Sequence, residues 1–248
     1  MRSDVSTVVI IGATSAIAQG VARMYAERGV TFFLVGRNEE HLRSVASDLV
    51  ARGAKGANIY VADLRMRDVH ADIVRQSLAD LGSLDVVLIA HGTMPDQREL
   101  NNDVDATLDC FMTNAVSVIS ISHRYATALE GLGRGSLVVL SSVAGERGRQ
   151  SNYTYGAAKA SITAYYSGLR ARLAPKGVHV LTIKPGPVDT PMTSGLAMPL
   201  KATVGVVASD IVRGIDKRVN VLYTPGVWRL IMAVVRAVPE SIFMKLKF

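Results

Sequence analysis

Residues 7–18 read TVVIIGATSAIA and predict a strand, a tight turn and the start of a helix. The run from Thr7 to Ile11 is apolar and mostly β-branched, as in a buried strand. Gly12 permits the turn, and the small residues after it let backbone N–H groups approach a pyrophosphate at a helix N-terminus. The positions that we expect to contact a dinucleotide are Gly12, Thr14, Ser15 and Ile17. An ordinary strand–helix turn is the alternative that this segment alone leaves open.

The same alternation of strand and helix repeats along the chain. Further strands are predicted at 31–35, 58–62, 84–90, 136–140 and 178–183, and helices at 16–28, 39–51, 104–132 and from Tyr155 onward. Near-continuous apolar strands between helices favour a parallel sheet covered on both faces. We therefore predict a single doubly wound α/β domain over residues 1–223, followed by an amphipathic helical extension over 224–248.

Composition limits the classes of protein that this chain can be. With 248 residues, 49% of them hydrophobic and 20% charged, the chain can bury a full core and is not extensively disordered. The single cysteine, Cys110, excludes an internal disulfide and suits a reducing compartment, where it would be a small buried residue. Residues 1–7 lack the apolar core of a secretory signal, so we expect a cytoplasmic protein.

The net charge of +7 leaves three kinds of partner to consider. The basic residues are dispersed and lack interleaved aromatic residues, which argues against nucleic acid. An anionic cofactor or an anionic membrane surface remains, the latter placing the protein at the inner face of the membrane. We predict no metal site.

The end of the second strand indicates which cofactor is used. A carboxylate here would bind both ribose hydroxyls of NAD, but Gly36 is followed by Arg37, whose guanidinium suits a 2′-phosphate. We therefore predict NADP(H), with an exposed arginine before a helix as the alternative. Asp63 and Leu64 follow the third strand, where Asp63 would contact the adenine amino group or else cap a helix.

Three residues in the second half of the chain carry an acid–base pattern. Tyr155 and Lys159 are four residues apart, so a helix places them on one face, and Ser142 precedes Tyr155 by thirteen residues. A nearby ammonium favours the phenolate and would lower the pKa of Tyr155 towards neutral. A serine hydroxyl can hold a carbonyl oxygen as charge develops on it.

Together these segments resemble the short-chain dehydrogenase/reductase family from about Thr7 to Tyr223. Ser142, Tyr155 and Lys159 match its catalytic residues at the family spacing. Three features depart from its pattern: Ala16 and Ala18 stand at glycine positions, and residues 89–92 read IAHG instead of NNAG, so that we expect a structural role for His91. The further positions that match the family are Asn114 in the active site and Pro185, Gly186, Val188 and Thr190 beside the nicotinamide.

The resemblance implies an NADP(H)-dependent interconversion of a ketone and a secondary alcohol. Tyr155 would be the general acid, Ser142 would orient the carbonyl, and Lys159 would lower the tyrosine pKa and bind the nicotinamide ribose. Asn114 would hold a water that links Lys159 to solvent. The family usually forms dimers or tetramers through helices near 104–132 and 155–174. The alternative to an enzyme is a non-catalytic protein that binds NADP.

Residues 224–248 extend beyond this core. Their apolar run is interrupted by Arg229 and Arg236 and broken at Pro239, and it is too short to span a bilayer. With Trp228, these features predict two short helices at residues 226–248 on an anionic membrane surface; packing on the protein or a partner subunit is the alternative.

The extension also suggests a substrate class. In placement and character it is similar to that of decaprenylphosphoryl-2-keto-ribose reductases, a branch of the same family. This resemblance implies a lipid-linked keto-sugar as substrate. The alternatives are other lipophilic ketones, of the 3-ketoacyl, steroid or sphingoid type.

Overall fold

The computed structural model describes residues 5–195 and 200–246. Seven strands form one sheet in the order β3-β2-β1-β4-β5-β6-β7, with every neighbouring pair parallel. The strands are β1 Thr7–Ile11, β2 Thr31–Gly36, β3 Gly56–Val61, β4 Val86–Ile89, β5 Ser136–Leu140, β6 His179–Pro185 and β7 Val221–Thr224. The predicted parallel α/β sheet is confirmed. The sequence prediction lacked β7, which is short and only partly buried.

Helices connect these strands. They are α1 Ala16–Ala26, α2 Glu39–Ala51, α3 Val69–Leu81, α4 Gln97–Leu100, α5 Val104–Phe111, α6 Ser117–Leu132, α7 Tyr153–Leu173, α8 Val204–Asp216, α9 Val227–Ala237 and α10 Glu240–Phe243. The single helix predicted at 104–132 is instead α5 and α6 joined by a π-helical turn, Met112–Val116. By length and composition this stretch could cross a bilayer, but Val118 and Ile121 of α6 pack in the core.

Both faces of the sheet are covered, because side chains alternate along each strand. Val8 and Ile10 of β1 face α1, α2 and α8, whereas Val9 and Ile11 face α3, α6 and α7. These side chains are fully buried, and burying each contributes about 1.5–3 kcal/mol. The near-continuous apolar strands in the sequence reflect this two-sided burial.

The strand order fixes where a ligand can bind. The chain proceeds outward from β1 to β3, then returns to place β4 on the other side of β1. The connections therefore leave β1 and β4 in opposite directions and open a crevice at their carboxyl ends. Gly12 and Ala90, the residues directly after these strands, lie at this crevice.

The C-terminal helices pack on the domain. Trp228 and Met232 of α9 form a small apolar cluster with Val143, and Trp228 is only 6% exposed. The expectation that Trp228 is an interfacial residue is therefore wrong: its indole is used for packing. Lys247, a further cation in this basic extension, lies outside the described residues.

Arg147 ties the junction between α9 and α10 to the domain. Its Nη1 donates to the carbonyl oxygens of Val235 and Val238 at 2.6 and 2.5 Å, and its Nη2 pairs with Glu240 at 2.8 Å. The guanidinium also stacks on Phe243, 3.8 Å from the ring centroid. These contacts hold α9 and α10 in a defined position.

The opposite face of α9 stays apolar and exposed. Leu230 and Val234 are 72% and 66% exposed, and Val227 lies on the same face at helical spacing. The extension therefore has two apolar faces, one packed and one open.

Candidate active site

A cavity of about 410 Å³ opens at the carboxyl edge of the sheet. It brings together every residue that the sequence assigned to a site: Gly12, Thr14, Ser15, Ile17, Arg37, Asp63, Leu64, Asn114, Ser142, Tyr155, Lys159, Pro185, Gly186, Val188 and Thr190. Elements from both halves of the sheet supply these positions. The cavity is large enough to bring a cofactor and a substrate group into contact.

The turn after β1 has the geometry of a phosphate site. Gly12 has a φ of +89°, and a Cβ there would lie 2.6 Å from the backbone nitrogen of His91. The positive φ and the lack of space for a Cβ atom both require glycine at this position. Ser15 precedes α1 without a side-chain cap, so the first N–H groups of the helix stay available to an anion. The residues present therefore fit a pyrophosphate, although Ala16 and Ala18 replace glycines.

Two arginines flank the expected adenosine end. Arg37 is exposed and forms no ion pair with another described residue. Arg65 binds Asp63 through two nitrogens, Nη2 at 2.8 Å and Nε at 3.0 Å, and this contact lowers the pKa of Asp63. Asp63 does not cap α3, which begins at Val69, so that alternative is wrong. Sequence reasoning missed Arg65; its signal was a basic residue two positions after Asp63.

The acid–base residues meet at the other end of the cavity. Lys159 Nζ lies 5.5 Å from the ring centroid of Tyr155, one turn earlier on α7, and donates to the carbonyl oxygen of Leu140 at 2.9 Å. Ser142 Oγ accepts from the backbone N–H of Ala144 at 3.1 Å, so its own proton is free to donate. One helix and one strand end thus place a phenol, an ammonium and a hydroxyl together.

Burial dominates the electrostatics of this group. It raises the pKa of Tyr155 to about 12, while the hydrogen bond with Ser142 acts in the opposite direction. Loss of solvation outweighs the neighbouring groups, so the pKa of Tyr155 does not fall towards neutral as expected from the nearby Lys159 ammonium. Burial also lowers the pKa of Lys159 to about 8. At neutral pH the phenol is therefore protonated and able to donate.

Asn114 is fixed in the π-helical turn. Its Oδ1 accepts from the backbone N–H of Thr93 at 2.9 Å, and its Nδ2 donates to the carbonyl oxygen of Cys110 at 2.9 Å. A Cβ on Gly92 would lie 2.6 Å from Asn114 Oδ1 and 3.6 Å from Lys159 Nζ. Gly92 therefore lets Asn114 and Lys159 approach the same space. π-helical turns often occur at functional sites.

A hydrogen bond to Ser117 holds His91 in the wall of the cavity. Ser117 Oγ donates to the carbonyl oxygen of Leu64 at 2.6 Å and so must accept from His91 Nε2, 2.9 Å away. His91 Nδ1 is then an acceptor, buried without a partner in the described part of the chain, and the residue lines the cavity. Burial lowers the pKa of His91 to about 3, so the ring is neutral.

The loop between β5 and α7 adds further residues that sequence reasoning missed. Arg149 and Asn152 both line the cavity close to Tyr155 in the chain. Neither belongs to a spacing pattern, so no signal in the sequence singled them out. Across residues 5–195 and 200–246, no group of His, Cys, Asp or Glu side chains is arranged to hold a metal ion.

Comparison with known proteins agrees with this geometry. The family model described as short chain dehydrogenase matches residues 6–199. An uncharacterized oxidoreductase of Mycobacterium tuberculosis is 33% identical over 240 residues, 96% of each chain. Another from Streptomyces coelicolor is 33% identical over 242 residues, 97% of this chain and 95% of its own.

Two further relatives carry more informative names. A 3-oxoacyl-acyl-carrier-protein reductase of Chlamydia muridarum is 29% identical over 193 residues, 78% of each chain. A solved structure named as a short chain dehydrogenase/reductase family protein superposes with a TM-score of 0.77 at 25% identity, covering 90% of this chain and 97% of its own. The chain belongs to the short-chain dehydrogenase/reductase family. It is an oxidoreductase of a family that uses nicotinamide cofactors.

Proposed function

We propose that this protein is an NADP(H)-dependent oxidoreductase that interconverts a ketone and a secondary alcohol. The observation that carries the proposal is the convergence of Ser142, Tyr155 and Lys159 in the same cavity as Gly12 and Arg37. One end of that cavity suits a dinucleotide, and the other holds a proton donor. A non-catalytic NADP-binding protein would have no need for this second group.

Each residue has a separate task in the reductive direction. The bound nicotinamide supplies the hydride, and the protein supplies position and electrostatics. Tyr155 donates its phenolic proton to the carbonyl oxygen, because its raised pKa keeps it protonated. Ser142 donates a hydrogen bond to the same oxygen. Lys159 carries the nearby positive charge that stabilises the phenolate left behind, and Asn114 supports proton return through a water.

NADP(H) is proposed over NAD(H) because of the charge at the end of β2. Gly36 is buried and offers no carboxylate, while the unpaired Arg37 stands beside the cavity. A guanidinium binds a 2′-phosphate through two parallel hydrogen bonds. Asp63 and Leu64 would receive the adenine, and Pro185, Gly186, Val188 and Thr190 the nicotinamide.

The proposed substrate is a ketone on a lipophilic carrier. The open face of α9, with Val227, Leu230 and Val234, would lie against an anionic membrane at its cytoplasmic side. Arg236 pairs with Glu146 of the domain at 3.2 Å, so the exposed Arg229 and Lys245 would supply the attraction to anionic lipid. A polyprenyl-phosphate-linked keto-sugar is the first candidate. A 3-ketoacyl substrate is the second, favoured by the Chlamydia muridarum relative named as a 3-oxoacyl-acyl-carrier-protein reductase.

We also propose a homo-oligomer. Val104 and Leu108 of α5 are 70% and 61% exposed, an unusual amount of apolar surface for a helix that joins α6 and lies against α7. A dimer or tetramer formed through these helices would cover it. Sedimentation of the purified protein measures the state directly, and a monomer at micromolar concentration would contradict the proposal.

NADPH consumption against a panel of ketones tests the function. The panel includes a polyprenyl-phosphoryl keto-sugar, a 3-ketoacyl thioester, a steroid ketone and a sphingoid ketone, each assayed with NADPH and with NADH. We expect turnover with at least one lipophilic ketone, and faster turnover with NADPH. Cofactor binding without turnover on any of them would favour the non-catalytic alternative.

A further inference from the structure

Arg149 is an unusual residue to find in the wall of this cavity. It lies in the loop between Glu146, the end of a short 3-10 turn after β5, and α7. No described residue forms an ion pair with it, and its Nε is buried without a hydrogen-bond partner. Its Nη2 contacts only the sulfur of Met232, at 3.6 Å, among the described residues. A guanidinium has five donors, and the Nε donor of this one has no partner in the described part of the chain.

The burial of this charge has a physical consequence. Burial lowers the pKa of Arg149, yet a guanidinium stays protonated in proteins. A partly buried cation without a carboxylate is unfavourable unless another group supplies the opposite charge. Arg147, two residues earlier, shows the contrast, because Glu240 and two backbone carbonyls satisfy it.

A second polar group in the same loop also lacks a partner. Asn152 lines the cavity, and its Oδ1 is buried without a hydrogen bond among the described residues. That oxygen is an acceptor and suits a hydroxyl of the substrate, whereas the Nδ2 amide of Asn152 can donate to an anion. Asn152 lies three residues before Tyr155, so this polar wall belongs to the substrate end and not to the nucleotide end near Gly12 and Arg37.

The C-terminal helix holds Arg149 in position. Met232 is fully buried, and it packs with Trp228 against Val143, the residue after Ser142. The thioether therefore contacts the guanidinium of a residue that also lines the cavity. A flexible surface arginine would lack such support.

We propose that Arg149, with Asn152, forms a substrate subsite for a phosphate ester or phosphodiester attached to the ketone. This inference rests on the proposed function, since it names a feature of the substrate for that reaction. The phosphate supplies the charge that Arg149 lacks, and charge-assisted hydrogen bonds fix the carbonyl relative to Tyr155 and Ser142. The subsite selects an anionic ketone over a neutral one of the same shape.

The test is binding of small probes to protein saturated with NADP⁺, so that the anion sites around Gly12 and Arg37 are filled. Benzyl phosphate, phenylacetate and benzyl alcohol are titrated into wild type, Arg149→Met and Arg43→Met. Arg43 is the control: it is exposed on α2 and does not line the cavity.

We expect wild type and R43M to prefer benzyl phosphate over benzyl alcohol by about 10- to 150-fold, the value of a hydrogen bond to a charged group. R149M should lose that preference, and thermal denaturation confirms that it is folded. Equal affinity of wild type and R149M for benzyl phosphate overturns the proposal. An R149M variant that loses affinity for benzyl phosphate and benzyl alcohol by the same factor also overturns it. Phenylacetate binding as tight as benzyl phosphate overturns the assignment to phosphate. The titration requires no turnover, so a failure of ketone reduction would contradict the proposed function alone.

Discussion

The indole of Trp228 occupies the space that a Cβ atom on Gly186 would fill. Gly186 belongs to the loop after β6 that lines the cavity, and Trp228 is the first buried residue of α9. The C-terminal extension is therefore in van der Waals contact with the wall of the site. Its position and the shape of the cavity depend on each other.

Replacing Gly186 with Ala should destabilise the protein. The added methyl would overlap the indole, and overpacking of this kind costs about 1–3 kcal/mol. Gly131→Ala is the control, because nothing lies within 4 Å of a Cβ there and the residue is inside α6. We expect that control to be neutral or to stabilise by about 0.4–1 kcal/mol. Urea denaturation measures both, and equal stability of the two variants would show that α9 does not pack on this loop.

Arg37→Ala should lower affinity for NADPH and leave affinity for NADH nearly unchanged. Loss of a charge-assisted phosphate contact costs about 1.5–3 kcal/mol, which corresponds to roughly 10- to 150-fold. Arg43→Ala serves as the control, because Arg43 is exposed on α2, pairs with Glu39 and does not line the cavity. Fluorescence titration with both cofactors measures the effect. A wild type that binds NADH as tightly as NADPH would contradict the assignment of Arg37.

Ketone reduction should decline as pH rises through about 8. Burial lowers the pKa of Lys159 to that value from the ordinary 10.5, so its ammonium is present below pH 8 and is lost above it. Tyr155 remains protonated over this range because its pKa is about 12. The dependence of kcat/KM on pH measures the titration. Activity that holds until near 10.5 would show that Lys159 titrates as an exposed lysine does.

The double replacement Leu230→Gln and Val234→Gln should weaken binding to vesicles. Both side chains are on the open face of α9, so the change spares the packed residues Trp228 and Met232. Loss of two apolar anchors should reduce partitioning onto anionic vesicles at least about tenfold. The double replacement Val50→Gln and Val206→Gln, at exposed apolar positions on α2 and α8, is the control. Co-sedimentation with anionic vesicles measures the fraction of each variant that is bound. If the double variant pellets as wild type does, the open face of α9 does not contact the membrane.

Local patterns predicted much of the fold and site. The alternation of apolar strands and helices along the chain predicts the parallel sheet. Tyr155 and Lys159 share a face because an α-helix has 3.6 residues per turn. Gly12 and Arg37 could be assigned to the site because each directly follows a predicted strand, and the end of a strand can be recognised from neighbouring residues alone.

The remainder depends on contacts between distant segments. The partners of Arg147 lie in α9, in α10 and at the junction between them, some ninety residues away in the chain, and no periodicity encodes them. The burial of Trp228 depends on Gly186 in the same way. The pKa of Tyr155 is raised because the folded chain buries the phenol. The sequence shows only that Lys159 is nearby and does not show this burial.

The most direct test of the account is turnover of wild type and Tyr155→Phe with NADPH and a ketone from the panel that wild type reduces. The variant keeps the aromatic ring and loses only the proton donor. Loss of one positioned acid lowers the rate by about 10²–10⁴-fold, and we expect turnover of the variant to fall by that factor while NADPH still binds. Turnover within twofold of wild type, under conditions limited by chemistry, would contradict the assignment of Tyr155 and the mechanism built on it.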